Sequence, residues 1–535
     1  MDHDTIRLLL DPSAYPEPTG RVELHQTHVS YIFLTDSHAY KIKKSVNLGF
    51  LDFTTLEKRR FFCNEEVRLN RRLSPHVYLG VVPIIRRDRR VIVDGEGEPF
   101  EYAVKMVRLP AERMMDRLLE EGLVTRREME QVAETIARFH QSAERGGRIS
   151  LWGSVEAIAA HWRENFQQAQ RFRGETIDPG GFDFLEGWVG RFLQRNQALI
   201  QRRIDGGYIR DCDGDLHAAN ICLTDPVSIF DCIEFTERFR FIDTAADLAF
   251  LLMDLDRHGR PDLKEILLRR YLSLTGDDGM LPLLTFYQAQ RAFIRGKVES
   301  LASVDIGIPS DERARFRTSA TRSFSLAIRY AVDGGEPVLI ITTGQVGTGK
   351  STVARWLSTR IPLVHLSSDR VRKEIYGLPP TARGAPIYTP EGTERTYDEL
   401  LARTADTLRG GGSLIVDATF RKRPHRKRFR TLAAELGVRF IILEVVCDEG
   451  EVQRRLARRE LDPDEPSDAR IGEYRLLAPE FEPVSPEEGE IVTVDTTEGD
   501  GGLHQLLTLL GRGFEPRGTA HAPSPVHARQ EPQHP

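Results

Sequence analysis

Two short segments of the sequence combine residue types and spacings that suit phosphate chemistry. The first, GQVGTGKS at 344–351, fits the pattern G-x-x-x-x-G-K-[ST], in which glycines let backbone N–H groups turn toward phosphate oxygens. The apolar segment VLIIT precedes it, and STVARWL can begin a helix whose N-terminal dipole adds positive charge. This context predicts a loop that binds the phosphates of ATP.

The predicted nucleotide-binding residues of this segment are those of the loop itself. Lys350 is expected to neutralise the β and γ phosphates, which also makes it a catalytic candidate, and either Ser351 or Thr352 could ligate Mg²⁺. The set comprises Gly344, Gln345, Val346, Gly347, Thr348, Gly349, Lys350, Ser351 and Thr352. ATP and Mg²⁺ are therefore the expected cofactors.

Two downstream carboxylates follow apolar segments that read as buried strands. Asp417 ends LIVDAT, a placement that suits Mg²⁺ or its bound water, and Asp369 lies in LSSDRVRKEI with Arg372 three residues later. An acid at the position of Asp369 can orient or deprotonate an acceptor hydroxyl, while Arg372 steadies substrate or phosphate charge. The alternative for Asp369 is the N-cap of the next helix, a role that aspartate also fills well.

An arginine-rich helical segment, EVQRRLARRE at 451–460, precedes the polar segment LDPDEPSDA. An arginine carried by a mobile lid can stabilise the transferring phosphoryl group. Arg458 and Arg455 are the candidates for nucleotide contact, and a solvated basic helix face is the alternative interpretation.

The second phosphate-related segment is GDLHAANI at 214–221. Asp215 and Asn220 have the spacing of a kinase-type catalytic loop, and Asp231 in IFDCIEF follows Asn220 by eleven residues. Asp215 would accept the proton of the acceptor, while Asn220 and Asp231 would hold Mg²⁺. Upstream lie a predicted strand with Lys41 and an acidic predicted helix, which gives the residue order of a kinase-type site.

The lysine and the glutamate of this second site each have a competitor. Lys41 and Lys43 share a strand face, and Lys41 is preferred because Ala39 matches the small residue of an A-x-K pattern. Glu66 is preferred over Glu65 as its partner. Lys41 would then bind the α and β phosphates while paired to Glu66.

These motifs resemble two kinase families. Residues 335–510 resemble the P-loop kinases of small molecules, which include gluconate kinase-like, chloramphenicol phosphotransferase-like and zeta-toxin-like proteins; the P-loop, SSDRVRKE, VDATF and the arginine-rich segment carry the likeness. Residues 20–333 resemble the aminoglycoside phosphotransferase-like kinases through AYKIKK, GDLHAANICL, IFDCIEF and FIDTAADLAFLLMDL. The whole chain resembles the bacterial bifunctional aminoglycoside phosphotransferase/ATP-binding proteins, which implies catalytic and metal roles for Asp215, Asn220 and Asp231 and a supporting role for Asp247.

The elements that position these residues fall into two predicted domains. Residues 1–333 are expected to form an α+β kinase-like (aminoglycoside phosphotransferase-like) domain, with a small lobe of strands and one helix at about 20–110 and a helical large lobe at about 111–333. After DGGEP at 333–337, alternating strands and helices over 334–512 predict an α/β P-loop NTPase domain with a parallel sheet. The Pro- and His-rich segment 513–535 is predicted to be a disordered tail.

Composition restricts the partners and the compartment. The 535 residues include 74 basic and 80 acidic side chains, and this near balance disfavours a nucleic-acid partner. Five cysteines without a CxxC pair indicate a reducing, cytoplasmic setting. An acidic N-terminus and the lack of an apolar run of 18 residues predict neither a signal peptide nor a membrane span.

The expected function is an ATP-dependent phosphotransferase (kinase) that acts on a small-molecule hydroxyl. Because no G-x-G-x-x-G precedes Lys41, one alternative is that the N-terminal half binds nucleotide or metabolite without turnover and regulates the P-loop half. A further alternative is a polynucleotide or protein kinase, in which Arg423 and Arg426 of the basic run FRKRPHRKRFR face RNA phosphates. The oligomeric state stays open.

Overall fold

The computed structural model describes residues 1–49, 51–333, 337–360, 363–379, 382, 387–410, 412–460 and 480–497. The predicted tail at 513–535 and the polar segment at 461–469 lie outside the described residues. The chain forms two compact units, one of residues 1–161 with 197–291 and the other of residues 162–196 with the chain from Ala292 on. None of the described helices combines the length and the apolar character that crossing a lipid bilayer requires.

The first 110 residues build an antiparallel sheet with a helix packed against it. The elements are α1 (His3–Leu9), β1 (Glu23–Gln26), β2 (Ser30–Leu34), β3 (His38–Lys43), α2 (Leu56–Asn70), β4 (Tyr78–Arg87), β5 (Arg90–Val93) and β6 (Pro99–Val107). The strand order is β1-β2-β3-β6-β4-β5. The Thr55 hydroxyl caps α2 by accepting the N–H of Lys58. The strands and the single helix predicted for about 20–110 are confirmed, and α1 lies before that range.

Helices dominate residues 111–333, with two short antiparallel strand pairs among them. The elements are α3 (Met115–Glu120), α4 (Arg126–Ser142), α5 (Gly147–Ser150), α6 (Val155–Ala169), α7 (Pro179–Arg195), α8 (Gln197–Asp205), β7 (Ile209–Asp211), β8 (Ile221–Cys222), β9 (Ser228–Ile229), β10 (Phe241–Asp243), α9 (Thr244–Arg257), α10 (Pro261–Thr275), α11 (Leu281–Ser303) and α12 (Ser310–Asp333). β7 pairs with β10, and β8 pairs with β9. The GDLHAAN segment thus connects β7 to β8, and Asp231 follows β9.

Part of this helical region belongs to the second unit. Residues 162–196 and 292–333 were predicted as part of the kinase-like large lobe, whereas by compactness they group with the P-loop region. An aromatic cluster holds these helices together, with the rings of Trp162 and Phe293 5.6 Å apart and those of Phe293 and Phe324 5.1 Å apart. Ser323 also donates a hydrogen bond of 2.7 Å to the buried Glu299.

The region after residue 337 is an α/β fold with a fully parallel sheet. Its elements are β11 (Val338–Thr343), α13 (Lys350–Arg360), β12 (Leu363–Ser367), α14 (Ser368–Ile375), α15 (Pro390–Arg409), β13 (Ser413–Asp417), α16 (Arg423–Glu435), β14 (Arg439–Val446), α17 (Glu449–Glu460) and β15 (Glu490–Asp495). The order is β12-β13-β11-β14-β15, and every pairing is parallel. The carboxyl ends of the strands therefore share one edge, where ligands of such sheets bind.

Candidate functional site

The loop after β11 needs glycine for steric reasons. Gly344 has a φ of +147°, and a Cβ on it would meet the carbonyl oxygen of Val445 at 2.4 Å. Gly347 has a φ of +84°, and a Cβ there would lie 2.9 Å from Val452. A side chain at either position would displace the loop backbone, which must stay close to its neighbours for its N–H groups to face phosphate.

The loop is held from two sides. Lys350, the first residue of α13, donates a hydrogen bond of 2.6 Å from Nζ to the carbonyl of Gln345. Thr496, just after β15, donates from its hydroxyl to the carbonyl of Thr348 at 2.7 Å, and Arg455 donates to the Thr496 hydroxyl at 3.0 Å. These contacts fix both ends of the phosphate-facing turn.

A cavity of about 950 Å³ opens beside this loop at the carboxyl edge of the sheet. Predicted site residues that line it are Val346, Gly347, Gly349, Lys350, Ser351, Asp369, Arg372 and Asp417. The other predicted loop residues, Gly344, Gln345, Thr348 and Thr352, shape the turn or lie beside it without lining the cavity. The structure thus brings the catalytic and metal candidates of this half to one cavity.

Asp417 ends β13 and is buried, and its Oδ2 lies 3.4 Å from Nε2 of His365 on the neighbouring β12. His365 was not predicted as a site residue. Its signal was a histidine between the apolar residues of LVHL, but only the pairing of β12 with β13 shows that it faces Asp417. The carboxylate of Asp417 and the hydroxyl of Ser351 are the hard oxygen ligands that Mg²⁺ prefers, so the residues present fit the expected metal.

Asp369 and Arg372 lie on α14, which follows β12. The N-cap of this helix is Ser367, so the alternative prediction that Asp369 caps it is wrong. Asp369 Oδ1 lies 3.7 Å from Arg372 Nη1, and the Arg372 guanidinium lies 4.5 Å from the ring centroid of Tyr388. Asp369 is thereby placed with its carboxylate at the cavity and a guanidinium beside it.

The arginines of α17 have different positions from those expected of a lid. Arg455 pairs with Glu451 at 3.0 Å and with Thr496, so it supports the loop from outside the cavity. Arg458 is exposed on α17 and does not line the cavity. The described residues therefore give Arg458 no contact with the predicted nucleotide site.

The basic run at 420–430 is mostly paired within the fold. Arg426 is 1% exposed and donates to both carboxylate oxygens of Glu488, at 2.7 and 2.9 Å. Arg423 is exposed and lies 3.3 Å from Glu487. Since Arg426 is buried as a structural arginine, the predicted pair of Arg423 and Arg426 does not form a surface for RNA phosphates.

A second group of predicted residues lies in the N-terminal unit, which consists of residues 1–161 and 197–291. There β3, α2 and the segment after β9 bring Lys41, Glu66 and Asp231 together. Lys41 Nζ lies 2.8 Å from Glu66 Oε1 and also contacts Asp231. Burial would raise the pKa of Glu66, but the ammonium groups of Lys41 and Lys43 outweigh it and lower that pKa to about 2. Asp231 has a φ of +66°, and its backbone N–H donates to the Tyr78 hydroxyl at 3.1 Å.

Lys43 forms a second, deeper pair on the same strand face. Its Nζ lies 2.6 Å from Glu66 Oε2 and contacts Glu234, a residue that the sequence analysis missed. Burial raises the pKa of Glu234 although Lys43 opposes the shift. Glu66 therefore bridges both lysines, Lys41 alone of the two contacts Asp231, and Glu65 instead pairs with Arg68 at 2.7 Å.

The loop between β7 and β8 carries the remaining predicted residues. Asn220 Nδ2 donates to Asp215 Oδ2 at 3.2 Å and to the Asp215 carbonyl at 3.1 Å. Asp247 accepts the backbone N–H groups of Asp213 and Gly214, at 3.1 and 2.9 Å, and contacts Nε2 of His140 at 3.1 Å. Asp247 thus anchors the backbone that presents Asp215, which matches the supporting role implied by the resemblance.

Asp213 is a buried carboxyl that was not predicted. Burial raises its pKa well above the ordinary range, and the nearby charges of Asp247 and Asp215 add to the shift. Its Oδ1 accepts the N–H of Asp215 at 3.1 Å. Through this hydrogen bond the Asp213 side chain fixes the backbone of the loop at Asp215.

Known families match both halves. Residues 62–283 match the family model described as "Phosphotransferase enzyme family", and residues 339–483 match the one described as "AAA domain". The uncharacterized protein Rv2004c of Mycobacterium tuberculosis is 31% identical over 423 residues, which cover 77% of this chain and 81% of the relative. Mb2027c of Mycobacterium bovis matches to the same extent.

Two solved kinase structures are similar to about a third of this chain. A gluconokinase from Sinorhizobium meliloti has 20% identity and a TM-score of 0.25, over 34% of this chain and 95% of the other. A sugar kinase from Janibacter has 17% identity and a TM-score of 0.26, over 35% of this chain and 99% of the other.

Proposed function

The chain belongs to the family of these mycobacterial proteins and carries a phosphotransferase-family region ahead of a P-loop kinase-like region, and from this we propose that it is an ATP-dependent phosphotransferase acting on a small-molecule hydroxyl in the cytoplasm. The observation that carries the proposal is the single cavity bordered by Lys350, Asp369 and Asp417. We assign residues 334–512 to the P-loop domain and residues 1–333 to the kinase-like domain, as the sequence patterns suggest.

In the P-loop half, each residue has a defined task. The backbone of 344–349 and Lys350 bind the β and γ phosphates, and Ser351 and Asp417 hold Mg²⁺, which neutralises phosphate charge when bound. The acceptor oxygen attacks the γ-phosphorus as the bond to the β–γ bridging oxygen breaks, so that ADP leaves. Asp369 takes the hydroxyl proton, and Arg372 stabilises negative charge beside it.

The N-terminal half is proposed as a second phosphotransferase site. Asp215 accepts the acceptor proton, Asn220 and Asp231 hold Mg²⁺, and Lys41 binds the α and β phosphates while paired with Glu66. The second candidate function for this half is a regulatory binding module, and its support is the contact of Lys41 with Asp231, because an ammonium there would compete with Mg²⁺ for the same carboxylate.

Turnover with a bacterial metabolite extract tests the proposal. Wild type, Lys350→Ala and Asp215→Ala are incubated with ATP, and phosphorylated products are identified by mass spectrometry. We expect Lys350→Ala to remove one product and Asp215→Ala a different one. Loss of product with Lys350→Ala alone would favour the regulatory alternative for the N-terminal half.

Two exposed residues provide matched controls for that assay. Lys427→Ala changes an exposed lysine on α16, and Asp262→Ala changes an exposed aspartate on α10. Both should retain every product. If wild type forms no product that depends on Lys350, the proposed function is wrong.

A further inference from the structure

Three nitrogen-bearing side chains, those of Arg372, Arg421 and His425, line the P-loop cavity together with Tyr397. The ring of His425 stacks on that of Tyr397, with centroids 4.0 Å apart and planes 14° apart. Burial raises the pKa of Tyr397, while hydrogen bonds and then the positive charges of Arg372 and Arg421 oppose this shift. Both guanidinium groups therefore lie within electrostatic reach of one buried phenol, and all four residues line the cavity.

Each of these three side chains has a buried polar nitrogen that makes no hydrogen bond in the described fold. Among the described residues, Arg372 Nε, Arg421 Nη1 and His425 Nδ1 make no hydrogen bond although each atom is buried. Arg372 is 8% exposed and His425 is 7% exposed. Because a buried donor without an acceptor is costly, a group of them on one wall indicates a ligand that supplies the acceptors.

Two acidic side chains that line the same cavity, Asp398 and Glu394, already have cationic or imidazole partners. Asp398 contacts Arg428 at 2.5 Å. Glu394 contacts Nε2 of His425 at 2.7 Å and lies 3.7 Å from Arg428. With Nε2 facing a carboxylate, the His425 Nδ1 accepts a hydroxyl proton when the ring is neutral and donates when it is charged.

Within the part of the chain that the structure describes, the two arginines have only loose carboxylate neighbours. Arg372 lies 3.7 Å from Asp369, and Arg421 lies 3.5 Å from the half-exposed Glu480. A bidentate guanidinium–carboxylate pair has shorter N–O distances, of about 2.7–2.9 Å. Both guanidinium groups thus retain the capacity to bind an anion from the cavity side.

We propose that the acceptor of the P-loop half carries an anionic group, a carboxylate or a phosphate monoester, which Arg372 and Arg421 bind. His425 then contacts one hydroxyl of the same molecule, while the reacting hydroxyl gives its proton to Asp369 as its oxygen attacks the γ-phosphorus of ATP. This proposal rests on the proposed function and adds the substrate class. The cavity of about 950 Å³ is large enough for the phosphates of ATP and an acceptor of about six carbons.

Calorimetry on the full chain tests the proposal with a matched set of ligands. The protein is saturated with Mg²⁺ and the β,γ-imido analogue of ATP, then titrated with sorbitol, gluconate and sorbitol 6-phosphate. We expect at least one of the two anionic ligands to bind about tenfold more tightly than sorbitol, and which one does so identifies the anion. Equal or weaker binding of both anionic ligands would overturn the proposal.

Two variants distinguish binding of the acceptor from binding of the nucleotide. Arg421→Gln should reduce the affinity ratio of the anionic ligand to sorbitol to about twofold and leave the affinity for the ATP analogue unchanged. Arg395→Gln is the matched control, because Arg395 lines the same cavity but lies over the Tyr376 ring, 5.5 Å from its centroid, and should keep the wild-type ratio. Loss of analogue affinity in Arg421→Gln would assign this arginine to ATP phosphates and overturn the proposal.

The failure of the proposed function looks different in the same experiments. A wild-type protein that does not bind the ATP analogue contradicts the proposed function, whatever the acceptor. Where the metabolite-extract assay gives a product dependent on Lys350, the acceptor that received the new phosphoryl group must be a carboxylic acid or a phosphate monoester. A neutral precursor would overturn the acceptor proposal and leave the phosphotransferase standing.

Discussion

The two candidate sites of this chain use their cations in opposite ways. In the P-loop half, Lys350 and Arg372 border a large cavity, and Arg372 has its nearest carboxylate neighbour in the described fold at 3.7 Å. In the N-terminal half, Lys41 and Lys43 are buried against three carboxylates of their own site. One site is arranged to receive anions, whereas the other must exchange internal ion pairs for ligand contacts.

This difference suggests different costs of binding. A phosphate that reaches the P-loop meets N–H groups and a lysine that are already oriented. A nucleotide that reaches Lys41 must compete with Asp231 for the ammonium group, so part of its binding free energy is spent on breaking that pair. We expect the P-loop site to bind ATP more tightly than the N-terminal site.

The largest expected effect comes from Lys350→Ala. Removing the charge that stabilises the transferring phosphoryl group should lower kcat/KM of the P-loop reaction by about 10³-fold. Steady-state kinetics with the product identified by mass spectrometry measures the change, with Lys427→Ala as the control. A decrease below about tenfold would show that this site is not the catalyst.

Replacements of Lys41 and of Lys43 should differ in their effects on nucleotide binding and on the free energy of unfolding. Lys43→Met leaves the buried Glu66 and Glu234 without their shared cation, so it should destabilise the N-terminal unit by about 3–5 kcal/mol. Lys41→Met should destabilise less, because its partner Asp231 is 45% exposed, yet it should abolish nucleotide binding there. Hydrogen exchange at β3 and α2 measures stability, and the reverse order of the two variants would contradict the assignment.

Acid should weaken the N-terminal unit through Glu66. Its pKa falls from the ordinary 4.5 to about 2 on folding, so its stabilisation is complete above about pH 4.5 and is lost as the pH falls toward 2. The loss amounts to about 3 kcal/mol. Glu66→Gln should be less stable at neutral pH but flatten this dependence, whereas Glu120→Gln, an exposed change on α3, should keep the wild-type slope. Hydrogen exchange measures the stability of the three proteins as the pH falls. Equal slopes of stability against pH in all three would contradict the ion-pair account.

The smallest expected effect concerns the support of the P-loop. Thr496→Val removes the hydrogen bond to the Thr348 carbonyl, worth about 1 kcal/mol, and should weaken ATP-analogue binding about fivefold. Thr493→Val on β15 loses only an exposed contact with Glu444 and should bind as wild type does. Calorimetry measures both, and equal affinities would show that the Thr496 contact does not position the loop.

Local spacing predicted the parts of both sites that local geometry determines. The P-loop needs a strand, glycines and a helix in direct succession, so GQVGTGKS between VLIIT and STVARWL was sufficient to place Lys350. Asp417 followed from its place at the end of an apolar strand, because parallel strands end at one edge of the sheet. The parallel sheet itself followed from the alternation of strands and helices.

Contacts between distant segments could not be read in this way. Glu234, His365 and Thr496 join their sites through the pairing of strands or the packing of loops far apart in the chain. The basic run shows the opposite error, since the sequence reveals the charge of Arg426 but not the buried Glu488 that neutralises it. Charge patterns predict an exposed face only where no partner folds onto them.

The most direct test of two independent phosphate sites is the stoichiometry of ATP-analogue binding. Equilibrium dialysis with Mg²⁺ should give two nucleotides per wild-type chain, the tighter lost in Lys350→Ala and the weaker lost in Asp231→Asn. A single nucleotide per wild-type chain, or the loss of both in Lys350→Ala, would contradict the account.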